Sequence, residues 1–369
     1  HITAFLLQNG GHEDPRQLTA NVGKSFQGSI ILGMGFTFDD SGYLEEDVQA
    51  DKEDFLDESK DETENREDIY ADDETPGLPS PIATMERLIE QNSKNAEVIQ
   101  PYIGGREVND SPTHSHHRYV INFGERSEEE CRREWPELLA IVERKVKPER
   151  MKVNDKGGKE KWWQFLRPRP ELQLAMQGLG AVMAANAGAS PYFSVALLSS
   201  SATYANTLNI FTLEGFEWLS LLEASPHLLW ACMHCSTMKD DLRYTPTTAF
   251  ETFPFPPAIV DPASTDLAMA AERQRLEAIG KYYYEFRAEL MVANHEGLTT
   301  TYNRFHDPSD ASPGLLELRR LHGEMDQAAL NAYGWSDVPT ACGFGLDYLD
   351  TEDDAQLPDE LQERIDSGE

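Results

Sequence analysis

The sequence predicts an α+β fold, a mixed sheet followed by an α-helical C-terminal region, and three observations carry that prediction. Runs of strong β formers alternate with Gly, Pro and Asn turns between residues 2 and 123. A long apolar, small-residue-rich stretch follows Glu171 and reads as several short strands of a buried sheet. Beyond Pro257 the apolar residues recur at alternating steps of three and four, the spacing of helices that need a partner. At 369 residues with 40% hydrophobic content, the chain can build two or three cores. No apolar run approaches the roughly 18 to 20 residues of a membrane span. Four scattered cysteines and the lack of a secretory pattern at ITAFLLQNG point to the reducing cytoplasm.

Taken in order, residues 1–38 read as strands and turns, ITAFLL and SIILGMGFTF, that close a domain begun upstream. VGKSF is not a phosphate loop, because Leu18 stands where the first glycine of the backbone cradle is needed. Residues 39–82 form an acidic insertion: eighteen Asp and Glu against three basic residues between Asp39 and Glu74. With so few aliphatics it is expected to be a mobile linker, and it supplies much of the net charge of −33.

A third unit is expected over residues 83–257. MERLIEQN places Met85, Leu88 and Ile89 on one face of a short helix, Gly104-Gly105 reads as a hairpin-type turn, and HRYVINF reads as a strand. His114, His116 and His117 lack a carboxylate or Cys partner at zinc spacing, which favours a loop over a metal site. Ser127 with Glu130 caps a helix expected to run to Val146. That helix feeds RKVKPERMKVNDKGGKEKWWQFLRPR, ten basic residues against three acidic ones. Clustered Lys and Arg attract phosphate, and Trp162 and Trp163 within the cluster suit stacking on bases or sugars. The competing reading makes the Trp pair core and Lys156 to Lys161 a solvated loop.

A helix is expected from Glu214 to Trp230, and Cys232-x-x-Cys235 reads as two small residues at a helix end, since no second pair lies within reach. Residues 258–335 form the helical region. One helix starts at Asp261-Pro262 and carries Leu276, Ile279, Tyr283, Phe286 and Leu290 before Asn294 and Gly297 stop it. A second starts at Ser312-Pro313, and the two form an antiparallel hairpin. Residues 336–369 make an acidic, frayed tail.

Segments in fixed order, including ANVGKSFQGSIILGMGFTFDD, NAEVIQPYIGGREVN, HHRYVINF, KWWQF with RPRPEL, DDLRYTPTTAFETFPFP, GLTTTYNRFHDP and LHGEMDQAALNAYGW, resemble the region downstream of the catalytic domain in adenine-specific (N6) DNA methyltransferases. The resemblance is to the single-chain restriction-modification kind and to phage-defence systems of the BREX or DISARM type. It implies a target recognition domain followed by helices, with double-stranded DNA, a methyltransferase catalytic domain or subunit, and other defence-system subunits as partners. It also implies S-adenosylmethionine as the cofactor of the associated catalytic domain. No Asn-Pro-Pro-aromatic motif occurs in this chain, where Pro256-Pro257 are the only adjacent prolines, so catalysis is assigned upstream or to another chain. MAANAGASPYF departs from the family, whose members usually carry Arg and Lys there.

On this reading Lys145, Lys147, Arg150, Lys152, Lys156, Lys159, Lys161, Arg167 and Arg169 position phosphates. Asn109, His116 and Arg118 are candidates for reading base edges, because Arg and Asn pair bidentately with guanine and adenine. The alternative is a protein-interaction or scaffold subunit of a defence assembly, suggested by the overall acidity and the two heptad-like helices.

Overall fold

The structure, a computed structural model, describes residues 15–41, 72–238, 241–261, 263 and 265–340. The body of the acidic insertion, residues 42–71, and the tail from residue 341 lie outside the described residues, as do the expectations placed on them. The fold is α+β, with three sheets followed by a helical region.

One sheet has the order β1 (Ser25–Gln27), β9 (Leu208–Phe211), β5 (Ala181–Asn186), β7 (Ala196–Ser199), antiparallel throughout. A second has the order β2 (Thr37–Phe38), β4 (Arg118–Ile121), β3 (Ile99–Ile103), β8 (Thr203–Tyr204), with the β3–β8 pair parallel. A third, smaller ribbon runs β10 (Ser236–Met238), β11 (Asp241–Arg243), β6 (Ala189–Ser190). Residues 25–38 therefore do not stand apart, since β1 and β2 are bonded into the first two sheets.

Several expected boundaries shift for local reasons. Gly104-Gly105 does not turn a hairpin; Gly105 opens α2 (Gly105–Asn109), and the two paired strands β3 and β4 are joined through that helix. The helix expected from Ser127 divides into α3 (Glu128–Glu134) and α4 (Pro136–Lys145), because Pro136 cannot donate a helical hydrogen bond and instead starts the second segment. Pro226 likewise divides the helix expected from Glu214 into α8 (Phe216–Glu223) and α9 (Ser225–His234). The basic stretch contributes α5 (Lys147–Lys152) and α6 (Lys156–Glu160), and α7 (Pro170–Met176) follows it. The helix predicted from MERLIEQN is α1 (Ile82–Gln91), with Met85 and Leu88 buried.

Two cores result. One joins β2, β3 and β4 to α1, α3 and α4 and includes Phe36, Phe38, Trp135, Trp162 and Phe165. The other spans β5, β7, β9, α8 and the helical region without a break, so residue 257 is no packing boundary. After the short α10 (Pro257–Val260), α11 (Leu267–Asn294) starts five residues later than expected, capped by Asp266, whose Oδ1 accepts from Ala268 N at 2.8 Å. It buries Leu276, Tyr283 and Met291. α8 approaches it so closely that a Cβ on Gly280 would lie 2.3 Å from Phe216 O. α12 (Leu298–Phe305) links it to α13 (Pro313–Ala332), which starts after Ser312 as predicted.

Candidate nucleic-acid interface

The basic stretch separates into buried and exposed cations. Lys145 is fully buried at the end of α4, where Leu138, Ile141 and Val142 share its face. Its Nζ donates to Pro79 O at 2.8 Å and also to Asp72 O, closing the chain end that leaves the acidic insertion. Burial pushes this amine down to about 8. Arg150 is 1% exposed and donates through Nη2 to Ile31 O (2.7 Å) and Gln164 O (3.0 Å). Both were expected to hold phosphate; their cationic heads are instead enclosed by the fold, where no phosphate reaches them. Trp162 corrects a third expectation. Its ring is core, covered by Lys147 Nζ at 4.6 Å, and is not a stacking platform. Trp163 is half-buried and donates from Nε1 to Arg126 O at 2.9 Å.

The remaining cations are at the surface. Lys147 pairs with Glu143 at 2.8 Å, Lys152 with Glu149 at 2.6 Å, Lys156 with Glu160 at 3.8 Å and Arg167 with Asp155 at 3.6 Å. These exposed pairs are weak, on the order of 0 to 1 kcal/mol, and a phosphate can displace the carboxylate. Among the described residues Lys159 and Lys161 have no ion pair. Their segment is held by Asp155, which caps α6 by accepting from Gly158 N at 2.6 Å. Arg167 bonds its backbone to Ile30, and the next basic residue, Arg169, has left-handed backbone (φ 54°) before the proline that opens α7. That turn delivers its guanidinium to Gln27 Oε1 at 3.2 Å. Gln27 in turn donates to Asn206 O at 3.0 Å, so the basic face continues into the first sheet.

Of the candidate base readers, Arg118 is buried. Its Nε and Nη2 donate to Glu107 Oε1 and Oε2 at 2.7 and 3.0 Å. Burial alone would raise the Glu107 carboxyl, and the Arg118 charge and bonds hold it below the ordinary value. The strand period could have signalled this, since Arg118 shares its face of β4 with buried Val120. Such a closed fork cannot read guanine, so Arg118 is a framework residue. His116 is half-buried, its ring 5.1 Å from Tyr119. Asn109 is half-buried at the end of α2 and lines a cleft with Asn186 at the end of β5, Ser190 of β6, Tyr192 just beyond it, and Thr299 and Tyr302 from α12. Sequence reasoning missed the last five, which lie far from Asn109 along the chain, although the quoted segments MAANAGASPYF and GLTTTYNRFHDP contain them.

The cleft floor is fixed by a buried ionic network. Glu223 of α8 accepts from Val195 N (2.7 Å), Arg287 Nη1 (2.7 Å) and Tyr302 OH (3.2 Å), and Tyr302 also accepts from Arg287 at 2.8 Å. His114, in left-handed backbone, is pushed down to about 4 by burial and by the nearby Arg287 charge, so it stays neutral. Among the described residues no group of three or more His, Cys, Asp or Glu is placed to hold a metal, and no helix is long and apolar enough to cross a membrane.

Residues 81–257 match the family model described as MmeI, target recognition domain. That segment contains both cores' sheets except β1 and β2, together with the basic stretch. The chain is also similar in fold to a solved structure described as the Type IIL restriction-modification enzyme MmeI in complex with DNA, at 13% identity and a TM-score of 0.57. The match covers 89% of this chain and 35% of that one, so this chain spans about a third of that enzyme's length. No curated protein matches the chain.

Proposed function

We propose that this chain is the DNA target-recognition part of an adenine-specific, S-adenosylmethionine-dependent restriction-modification or phage-defence enzyme, with its catalytic domain upstream or on another chain. The single observation that carries the reading is the match of residues 81–257 to a target recognition domain. The surface cations of residues 152–169 support it, because six basic residues against two acidic ones cluster there in a chain of net charge −33.

On this reading Lys147, Lys152, Lys156, Lys159, Lys161, Arg167 and Arg169 position the duplex through its phosphates, and uncharged polar groups nearby read the bases. Such contacts fix register and give affinity that falls with salt; sequence is read in the grooves. The test uses the chain in its complete polypeptide, expressed in the cytoplasm of a host lacking adenine methylation, with N6-methyladenine mapped across the genome. One recurring methylated sequence is expected, and deleting residues 81–257 should remove it. Methylation that persists at the same sequence after the deletion, or methyl groups on another base, would overturn the proposal.

A further inference from the structure

The cleft between the β5–β6 loop, the end of α2 and the first turn of α12 stands next to the basic strip yet has a different chemistry. Its polar lining is made of amides and hydroxyls, from Asn109, Asn186, Ser190 and Thr299, over the aromatic rings of Tyr192 and Tyr302. Among the described residues no Asp or Glu lines it. In a protein carrying 65 acidic residues, a polar cleft without a carboxylate is open to a polyanion.

Its two amides are held in place with hydrogen-bonding capacity to spare. Asn186 ends β5, and its Oδ1 accepts from Gly188 N at 3.0 Å, which fixes the plane of the amide. Its Nδ2 has no hydrogen-bond partner among the described residues, and neither has the side chain of Asn109. The walls are rigid. A Cβ on Gly297 would lie 2.2 Å from Asn109 O, so α12 docks directly on the end of α2. The Tyr302 hydroxyl is clamped by Arg287 and Glu223, and the Tyr192 ring stacks on His306 at 4.2 Å.

A chain of hydrogen bonds links the walls of the cleft to the basic strip. Arg169 reaches Gln27, Gln27 reaches Asn206 O, and Thr207 beside it accepts from Gly105 N at 3.0 Å and Ala187 N at 2.8 Å. A two-residue turn thus connects the last basic residue of the strip to both walls of the cleft. On the other side, exposed Arg243 is the cross-strand neighbour of Ala189.

We infer that this cleft reads base edges, with Asn186 and Asn109 as the reading side chains, an adenine as the base taken by Asn186, and Thr299 of the helical region as the opposing wall. The inference rests on the DNA-recognition reading above. An asparagine amide matches the N6 donor and N7 acceptor of adenine in the major groove, and a second hydrogen bond to Asn186 Oδ1 is available because a carbonyl oxygen has two lone pairs. The helical region is therefore part of the reading surface.

Selection from a randomised duplex library tests this, using the chain as wild type, Asn186→Ala, Asn186→Asp and Asn109→Ala, with salt dependence measured on the selected sites. The wild type should enrich one motif. Asn186→Ala should lose preference at one A·T pair by about tenfold or more, and Asn109→Ala should lose it at a different base pair, each with the salt slope unchanged; an unaltered motif from a folded Asn109→Ala removes Asn109 from the reading surface. Asn186→Asp, whose carboxylate only accepts, should move that position toward cytosine, which offers an N4 donor. Folding of each variant is checked by its thermal transition. A folded Asn186→Asp that selects the wild-type motif overturns the assignment while leaving the recognition function intact. A wild type that enriches no motif overturns the recognition function itself and the assignment with it.

Discussion

Replacing Arg287 with Met tests the central packing idea, that the helical region and the strand-rich region are one body locked by a buried ion pair. The Arg287 and Glu223 side chains are each 1% exposed. The substitution removes the bonds from Nη1 to Glu223 (2.7 Å) and to Tyr302 OH (2.8 Å), and the bond from Nη2 to Val195 O. Glu223 would keep Val195 N and Tyr302 as donors, yet its charge would be uncompensated in the core. Breaking a buried pair in this way costs about 3 to 5 kcal/mol. At about 2.1 cal/mol/K of unfolding entropy per residue, that lowers the melting temperature of a 369-residue chain by roughly 4 to 6 °C. Removing the charge as well, in Arg287→Met with Glu223→Gln, should return much of the loss, because a neutral amide is far cheaper to bury. Urea unfolding followed by tryptophan fluorescence and circular dichroism gives all four corners of the cycle. A single-variant cost below about 1 kcal/mol, or strict additivity of the two substitutions, would refute the reasoning.

Other consequences follow from the placement of individual side chains. Lys159→Ala with Lys161→Ala should weaken binding to all duplex sequences alike and reduce the slope of log affinity against log salt by about one per lost phosphate contact; an unchanged slope would place these lysines off the backbone. Lys145→Met should do the reverse, lowering the urea midpoint while leaving the salt slope alone, because Lys145 is fully buried and bonded to Pro79 O. Glu217 is pushed up to about 7 by burial and by its hydrogen bond with Glu277. A carboxyl with a raised folded value binds its proton more tightly in the native state, so its contribution is present at pH 4 and lost as pH rises toward 7. Glu217→Gln should flatten melting temperature against pH between about 4.5 and 7 and stabilise the protein at pH 8. Gly280→Ala gains about 1 kcal/mol of helix propensity but sets a methyl 2.3 Å from Phe216 O, so a lower melting temperature is expected, and a higher one would show that α8 can move aside.

The sequence by itself determined the features set by neighbours a few residues apart. Ser312-Pro313 starts α13 as predicted, because a proline at the first helical position loses no hydrogen bond, and the apolar period puts Leu318, Leu321 and Met325 in the core. The β formers of HRYVINF make β4, and Met85 and Leu88 face inward from α1. The basic character of residues 144–169 was equally plain, since charge is read directly from composition.

Only the tertiary structure decided which of those charges are available. Lys145 and Lys159 look alike in the run, but Lys145 lies one helical turn past Ile141 on a face that packs, whereas Lys159 sits on a short, capped surface helix. Helical spacing held that information for Lys145, and the charge of the side chain obscured it. Nothing local could have joined Asn109 to Asn186 and Thr299. Their meeting depends on the β5–β9 register, on the close approach of Gly297 to α2 and on the Glu223–Arg287 pair, which are contacts between residues 64 to 188 positions apart or between strands whose pairing no single segment encodes. A short segment specifies its own hydrogen bonds and its apolar face; which face meets which is settled when the whole chain buries its apolar surface at once.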